Sequence, residues 1–231
     1  MAVTSAHIRG CIFDLDGVVV DTFRYHFQAW RRVAQNLGFE FTEDHHHLLQ
    51  GMSRMQSLEK ILELGHIYLP DAEKLYWSDV KNNWYIELLA QMTPEEVLPG
   101  VRRMLEEMAE NDLSTALVSS SRNARTVLES LQLDMLFDAV IDGNMIKKAK
   151  PDPERYLLAA RNLNLEPAEC LVFEDTLPGV IGAAYGGFWV VGVGDPRQLA
   201  PANLTIPNFE TLSFDYLQTL TGRTTISGGY S

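Results

Sequence analysis

Asp14 and Asp16 stand at the end of the apolar, β-forming run Cys11-Ile12-Phe13-Asp14-Leu15-Asp16-Gly17-Val18, where a glycine turns the chain away. Successive strand residues face opposite ways, so both carboxylates project to one side if the extended backbone persists that far. Ligand crevices of open α/β sheets lie at that end of the strands. Two neighbouring carboxylates repel each other unless one holds a proton or a cation sits between them, and either arrangement can do chemistry. An Asp-rich turn capping the next helix would have the same spelling, so the rest of the chain must decide.

Three further clusters could take part. Val118 leads into Ser119-Ser120-Ser121-Arg122-Asn123, which offers hydroxyls and backbone N–H groups at the start of a helix, a natural seat for an anion. Capping alone would need only one of these residues. Lys150-Pro151-Asp152-Pro153 places a lysine just before a proline-started helix, where a solvated side chain is the ordinary expectation. Phe173-Glu174-Asp175-Thr176 again puts carboxylates where an apolar strand stops. Four carboxylates at one sheet edge are costly without a divalent cation, and hard oxygen ligands with phosphate favour Mg²⁺.

The elements that must position these residues alternate. Helical spacing over Val101, Met104, Leu105 and Met108 precedes the strand Thr115 to Val118. A helix from Val127 to Leu131 precedes Ala139 to Ile141, one from Tyr156 to Leu163 precedes Cys170 to Phe173, and Trp189 to Val193 closes the series. The fold class expected is α/β, a doubly wound parallel sheet of Rossmann-like form. Between Gly17 and Leu98 the pattern is helical. Phe27, Trp30, Val33, Ala34 and Leu37 mark one face, Leu58, Ile61, Leu62 and Leu64 a second, and Leu75, Val80, Tyr85, Leu88 and Leu89 a third. This block reads as an inserted α-helical cap domain over 23–98, with the catalytic core made of 1–22 and 99–231. The tail from Thr219 to Ser231 is small and polar, and is expected to fray.

Composition narrows the function classes. The 231 residues can bury a sizeable core, and the net charge of −12 argues against nucleic acid held by a generally basic surface. No membrane-length apolar segment and no signal-peptide pattern is visible, so a cytoplasmic protein, taken as a monomer, is the expectation. Cys11 and Cys170 lie in strand-like runs and read as buried thiols rather than a disulfide. His45-His46-His47 is not read as a metal site, because adjacent histidines do not converge on one ion.

Asp14-x-Asp16, Ser119 after a strand, Lys150-Pro151 and Glu174-Asp175 resemble, in that order, the four motifs of the haloacid dehalogenase superfamily, and they span nearly the whole chain. Asp14 to Thr22, Tyr25 to Trp30, Gly51 to Leu62, Lys81-Asn82-Asn83 with Tyr85, and Val97 to Gly100 resemble the β-phosphoglucomutases within it. The resemblance implies phosphoryl transfer through an aspartyl phosphate on Asp14, with Asp16 as acid and base. It implies one Mg²⁺ held by Asp14, the Asp16 carbonyl and Asp175, with Glu174 behind them, while Ser119 and Lys150 orient the phosphoryl group. On the cap side it implies that Arg54, with Ser121, Arg122 and Asn123, grips the phosphate not being transferred. His26 and Lys81 would place Asp16 for proton transfer, and Gly51 and Ser53 would contact substrate, as would Ser120 between the active serines.

The implied reaction is interconversion of β-D-glucose 1-phosphate and glucose 6-phosphate, with glucose 1,6-bisphosphate as activating intermediate. A sugar-phosphate phosphatase would share the nucleophile, with water as acceptor. A non-catalytic phosphate sensor or partner-binding member would need neither a nucleophile nor an acid. Arg122, Thr176 and Ser120 stand where the family more often has lysine, serine and alanine. Residues 142–149 and those after Pro196 match only loosely.

Overall fold

The computed structural model describes residues 8–49 and 51–221. Strand β1, Gly10–Asp14, is buried along its whole length, as an unbroken apolar run covered on both faces should be. Four helices of the insertion follow: α1 (Phe23–Asn36), α2 (Glu43–His47), α3 (Arg54–Leu64) and α4 (Asp71–Leu89). Alternation then sets in with α5 (Val101–Glu110), β2 (Ser114–Val118), α6 (Ala124–Ser130), β3 (Ala139–Ile141), α7 (Glu154–Asn162), β4 (Cys170–Glu174), α8 (Leu177–Tyr185), β5 (Trp189–Val193), β6 (Leu204–Ile206) and α9 (Phe214–Thr221).

The six strands form one parallel sheet in the order β3-β2-β1-β4-β5-β6. The chain therefore works outward from β1 in one direction and returns to its other side, which makes β1 and β4 the switch point where such sheets open a crevice. Period-2 alternation sorts β1 between the two faces. Cys11 and Phe13 pack towards α5 and α6, and Ile12 packs towards α7 and α8. Phe13 stacks on Phe173 with ring centroids 4.7 Å apart, so the two strands that carry the carboxylates are bound together just below them. Both cysteines are buried and neither forms a disulfide.

The helical insertion has its own apolar cluster, built on Trp30, Val33, Phe41, Leu58 and Ile61. It joins the sheet domain through a short neck, where Val20 bridges Val97 and the Leu98 N–H donates to Val19 O at 2.9 Å. The Tyr25 hydroxyl is 2.8 Å from both carboxylate oxygens of Glu96 at the same place. Helix α4 departs from the sequence expectation. Its inner face carries Ser78, Lys81, Tyr85 and Leu89, while Leu75 is 58% exposed. Apolar periodicity misjudged the face because this helix turns polar groups inward, towards the cleft.

None of α2, α8, α9 and β6 is among the elements expected from the sequence. Short α2 is closed by a capping box between Thr42 and His45, and edge strand β6 falls in the region that was matched only loosely. The polar tail also differs from expectation: its first residues, Thr219 to Thr221, complete α9, and the remainder lies outside the described residues. Among the described residues no helix is long and apolar enough to cross a membrane.

Candidate active site

Parallel register aligns the carboxylates. Asp14 pairs with Val118, and Phe13 with Phe173, so Asp14 and Glu174 end neighbouring strands at one level and Ser119 follows directly after the end of β2. Lys150 is not the solvated lysine that its sequence setting suggests. Its ammonium is buried, 2.8 Å from Asp14 Oδ1, and forms a second ion pair with Glu174. Glu174 also accepts from the Tyr156 hydroxyl at 2.8 Å and from the N–H and hydroxyl of Thr176. Its oxygens are thus engaged in holding Lys150 and the start of α8.

The turn after β1 is made by Gly17, whose φ of +80° no β-carbon-bearing residue adopts cheaply. A Cβ there would strike the Asp175 carboxylate, so the glycine lets the two loops touch. The backbone then folds back, with Gly17 N–H donating to Val20 O at 2.9 Å. This brings the Thr22 hydroxyl onto Asp16 Oδ1.

The serine loop differs from a plain helix-terminus anion seat. Ser121 N–H donates to Ser119 Oγ at 3.0 Å and Asn123 N–H to Ser121 Oγ at 3.2 Å, so the run caps itself before the short α6. Gly143 supports it from beneath, donating to Ser121 O at 3.0 Å. What Ser119 retains for a ligand is its own hydroxyl hydrogen, on a side chain 1% exposed.

The insertion supplies the opposite wall. Lys81 Nζ lies 2.7 Å from His26 Nδ1, with the His26 ring stacked on Tyr85 at 4.1 Å. Lys81 also sits over the faces of Trp30 and Tyr85. Asn123 Nδ2 donates to Asn82 Oδ1 at 2.8 Å and links the serine loop to α4 directly. Arg54 opens α3 behind Ser53, whose hydroxyl accepts from Gln56 N–H. Gly51 and Ser53 are exposed at the rim.

Electrostatics separate the carboxylates by role. Burial, with Glu174 adding repulsion and Lys150 opposing, pushes Asp14 up to about 7. Burial followed by repulsion from Asp14 and Glu174 pushes Asp175 up to about 8. Burial also raises Asp16, against the Thr22 hydrogen bond and the pull of Lys150 and Lys81, so it keeps a proton to higher pH than a free aspartic acid. Glu174 moves the other way, because Lys150 and its hydrogen bonds outweigh burial. On the insertion side, burial depresses Lys81 and His26, and Arg54 adds repulsion to both.

The carboxylates suit a cation. Asp175 Oδ1 is buried without a hydrogen-bond partner, both Asp14 and Asp175 are raised by burial and carboxylate repulsion, and Asp14 is among the groups that raise Asp175, a balance that a cation would relieve. Among the described residues no three His, Cys, Asp or Glu side chains are grouped tightly enough to hold a metal by themselves. A cation would therefore rest on Asp14 and Asp175 completed by backbone oxygen and water, the donor set that Mg²⁺ takes. His45, His46 and His47 serve structure instead: His45 closes the α2 cap and His46 packs edge-on against Phe23.

Sequence reasoning passed over Thr22, Tyr156 and Arg155 as site residues. Thr22 and Tyr156 carried no signal, being ordinary helix-start and core residues by type. Arg155 did carry one, since it is a charged residue on the same helical face as Ala159.

A family model for haloacid dehalogenase-like hydrolases matches residues 8–187. The chain belongs to that family. Within it, the chain is 37% identical to a β-phosphoglucomutase of Bacillus subtilis strain 168, over 91% of this chain and 94% of that one. It is also 37% identical to a phosphorylated carbohydrates phosphatase of Thermotoga maritima, over 78% and 82%. The crystal structure of β-phosphoglucomutase from Clostridium difficile superposes with a TM-score of 0.88 at 36% identity, covering 93% of this chain and 97% of that one. Family membership makes this protein an enzyme of the haloacid dehalogenase superfamily, and its relatives include both mutases and phosphatases.

Proposed function

We propose that this chain is a β-phosphoglucomutase, converting β-D-glucose 1-phosphate into glucose 6-phosphate and back through a 1,6-bisphosphate that reorients between two transfers. The observation that carries this reading is the charge balance around Arg54. Arg54 is lowered first by burial and then by repulsion from Arg122 on the serine loop, against a weaker pull from Asp79. Among the described residues neither guanidinium has a carboxylate within 4.0 Å. Two unpaired cations held close together form a receptor for a doubly charged group. A bisphosphate needs such a receptor opposite the transfer site in both of its orientations.

In this mechanism the Asp14 carboxylate attacks phosphorus and the ester oxygen departs with the proton of Asp16. In the second half-reaction Asp16 takes the proton back from the attacking sugar hydroxyl, and the phosphoryl group leaves Asp14. Thr22 fixes the Asp16 carboxyl, and the His26–Lys81 pair presents positive charge behind it. Lys150 and the Ser119 hydroxyl neutralise and orient the moving phosphoryl oxygens. One Mg²⁺ per site, held by Asp14, the Asp16 carbonyl and Asp175 with Glu174 behind them, would supply further charge neutralisation when bound. We take residues 23–98 to act as a cap that closes over the aspartyl phosphate and excludes water.

The test is an assay of β-glucose 1-phosphate with Mg²⁺ and a trace of glucose 1,6-bisphosphate, following glucose 6-phosphate and free phosphate together. Accumulation of glucose 6-phosphate without stoichiometric phosphate release is expected. Phosphate released in step with substrate loss would replace the mutase by a sugar-phosphate phosphatase, the activity named for the Thermotoga maritima relative.

A further inference from the structure

Arg155, in the first turn of α7, is 2% exposed. Its Nη1 donates to Ser120 Oγ at 2.9 Å, and its buried Nε has no hydrogen-bond partner. Among the described residues no carboxylate lies within 4.0 Å of its nitrogens. A guanidinium cannot shed its proton, and although the Asp14 carboxylate feels this one at longer range, its only hydrogen-bond partner among the described residues is a neutral hydroxyl and its donors are left incomplete. Such groups are retained where something else completes them.

Beside it lies a cavity of about 210 Å³ at the seam between insertion and core. Ser53 and Gln56 wall it on the insertion side, and Ser120, Lys147, Lys148 and Arg155 on the core side. Asp152 pairs with Lys148, and Glu154 accepts the backbone N–H groups of Lys147 and Lys148, but neither carboxylate lines the cavity. In a chain of net charge −12, a cleft pocket with three cationic side chains and no acidic one runs against the background. Arg54 and Arg122 are not part of its lining.

We propose that this cavity is an anion subsite separate from the Arg54–Arg122 pair. In it Arg155, with Lys148 and the polar groups of Ser53 and Gln56, binds a phosphate dianion, either free phosphate or the phosphate of a monoester. Its walls come from both halves of the molecule, so an occupant ties the insertion to the core and holds the cleft shut. The subsite is independent of which reaction the Asp14 site catalyses. Occupancy would slow turnover by delaying reopening, a form of inhibition that saturating substrate does not relieve.

Crystals of the full chain grown with selenate, a phosphate-shaped anion located by its anomalous signal, test the position; calorimetric titration with inorganic phosphate and, separately, with glucose 6-phosphate tests the source. A selenate peak against Arg155 is expected. Arg155→Met should remove that peak and weaken phosphate binding at one site by about tenfold or more, while Arg54→Ala leaves it in place. Lys148→Gln, at the exposed rim, provides a variant whose folding is not at stake, and it should weaken the same site. Binding of phosphate alone assigns the site to the free anion, and binding of the sugar phosphate with its peak at Arg155 assigns it to a monoester. Selenate found only beside Lys150 or between Arg54 and Arg122 would overturn the proposal. So would phosphate titrations unchanged in both Arg155→Met and Lys148→Gln, or an Arg155→Met variant altered in Mg²⁺ affinity alone, which would make Arg155 a counter-ion to the carboxylates.

Discussion

At the sheet edge, Lys150 is pinned between Asp14 and Glu174, and Glu174 is held in turn by Tyr156 and Thr176. Across the cleft, Lys81 rests against a neutral imidazole and two aromatic faces, and Arg54 has repulsive company in Arg122. In the first set Lys150 and Glu174 are satisfied internally and preorganised before any ligand arrives, with Asp14 and Asp175 left to share a cation. Among the described residues the second has no carboxylate in direct contact, and under the function proposed above a phosphorylated ligand completes it. One wall of the cleft is thus built for chemistry at a fixed point, while the other is built to be completed by what it binds.

The largest expected effect tests the fixed wall at its centre. Asp14→Asn should abolish both turnover and labelling of the enzyme by phosphoryl donors, with an unchanged circular dichroism spectrum, and near-normal turnover would remove the covalent mechanism. Asp16→Asn keeps the shape of the acid but not its proton, so kcat should fall by about 10²–10⁴-fold on the usual scale of proton-transfer catalysis. Loss of metal affinity with intact chemistry would exchange the roles of the two aspartates.

Stability sharpens the contrast between the two lysines. Lys150→Met strands two buried carboxylates and should cost about 3–5 kcal/mol in urea unfolding. Lys81→Met removes an ammonium that burial already disfavours, and should leave stability unchanged or raise it while activity drops. Equal destabilisation by both substitutions would erase the distinction between a satisfied and an unsatisfied wall.

Arg54→Ala should cost about 1.5–3 kcal/mol of transition-state binding in the mutase reaction, roughly ten- to more than a hundredfold in rate, by loss of a charge-assisted contact. Slow hydrolysis of acetyl phosphate, which reaches only the sheet-edge wall, should survive. A parallel loss of both activities would mean that the insertion no longer closes.

The smallest effect belongs to His46 inside the insertion, where burial first, then Lys81 and His47, lower the imidazole to about 4. An unfolded histidine titrates near 6.5, so between those values the unfolded chain binds the extra proton. The stability that a neutral His46 contributes is complete above about pH 6.5 and is lost as pH falls towards 4, by about 1–2 kcal/mol after allowance for its partial exposure. His46→Gln should flatten the unfolding free energy of the wild type across that range, and identical slopes would assign the pH dependence to other groups.

Much of the sheet was legible because its strands are apolar runs ended by glycine or by polar clusters, and local pattern is enough to mark those. β2 to β5 lie within a residue of their expected limits, and β1 ends at Asp14. Helix α4 was misjudged in its buried face because Lys81 and Ser78, polar by type, point inward. β6 was missed because a three-residue edge strand takes its pairing from β5 and has no periodicity of its own.

The residue types that could carry phosphoryl chemistry, Asp14, Asp16, Ser119, Glu174 and Asp175, were marked by the sequence alone, because strand ends are where an α/β sheet exposes polar groups and each of these follows a recognisable apolar run, whereas Lys150 was marked only by the resemblance. Their states were not legible there. Whether Lys150 was a surface charge or a buried clamp, whether Glu174 faced a cation or a lysine, and whether Arg155 was a solvated helix residue or a buried cation beside a cavity depended on contacts between segments more than twenty residues apart or on the packing of one helix face. Charge state and hydrogen bonding are set by burial and by neighbours, and for these groups the neighbours exist only once the sheet has brought the strand ends together.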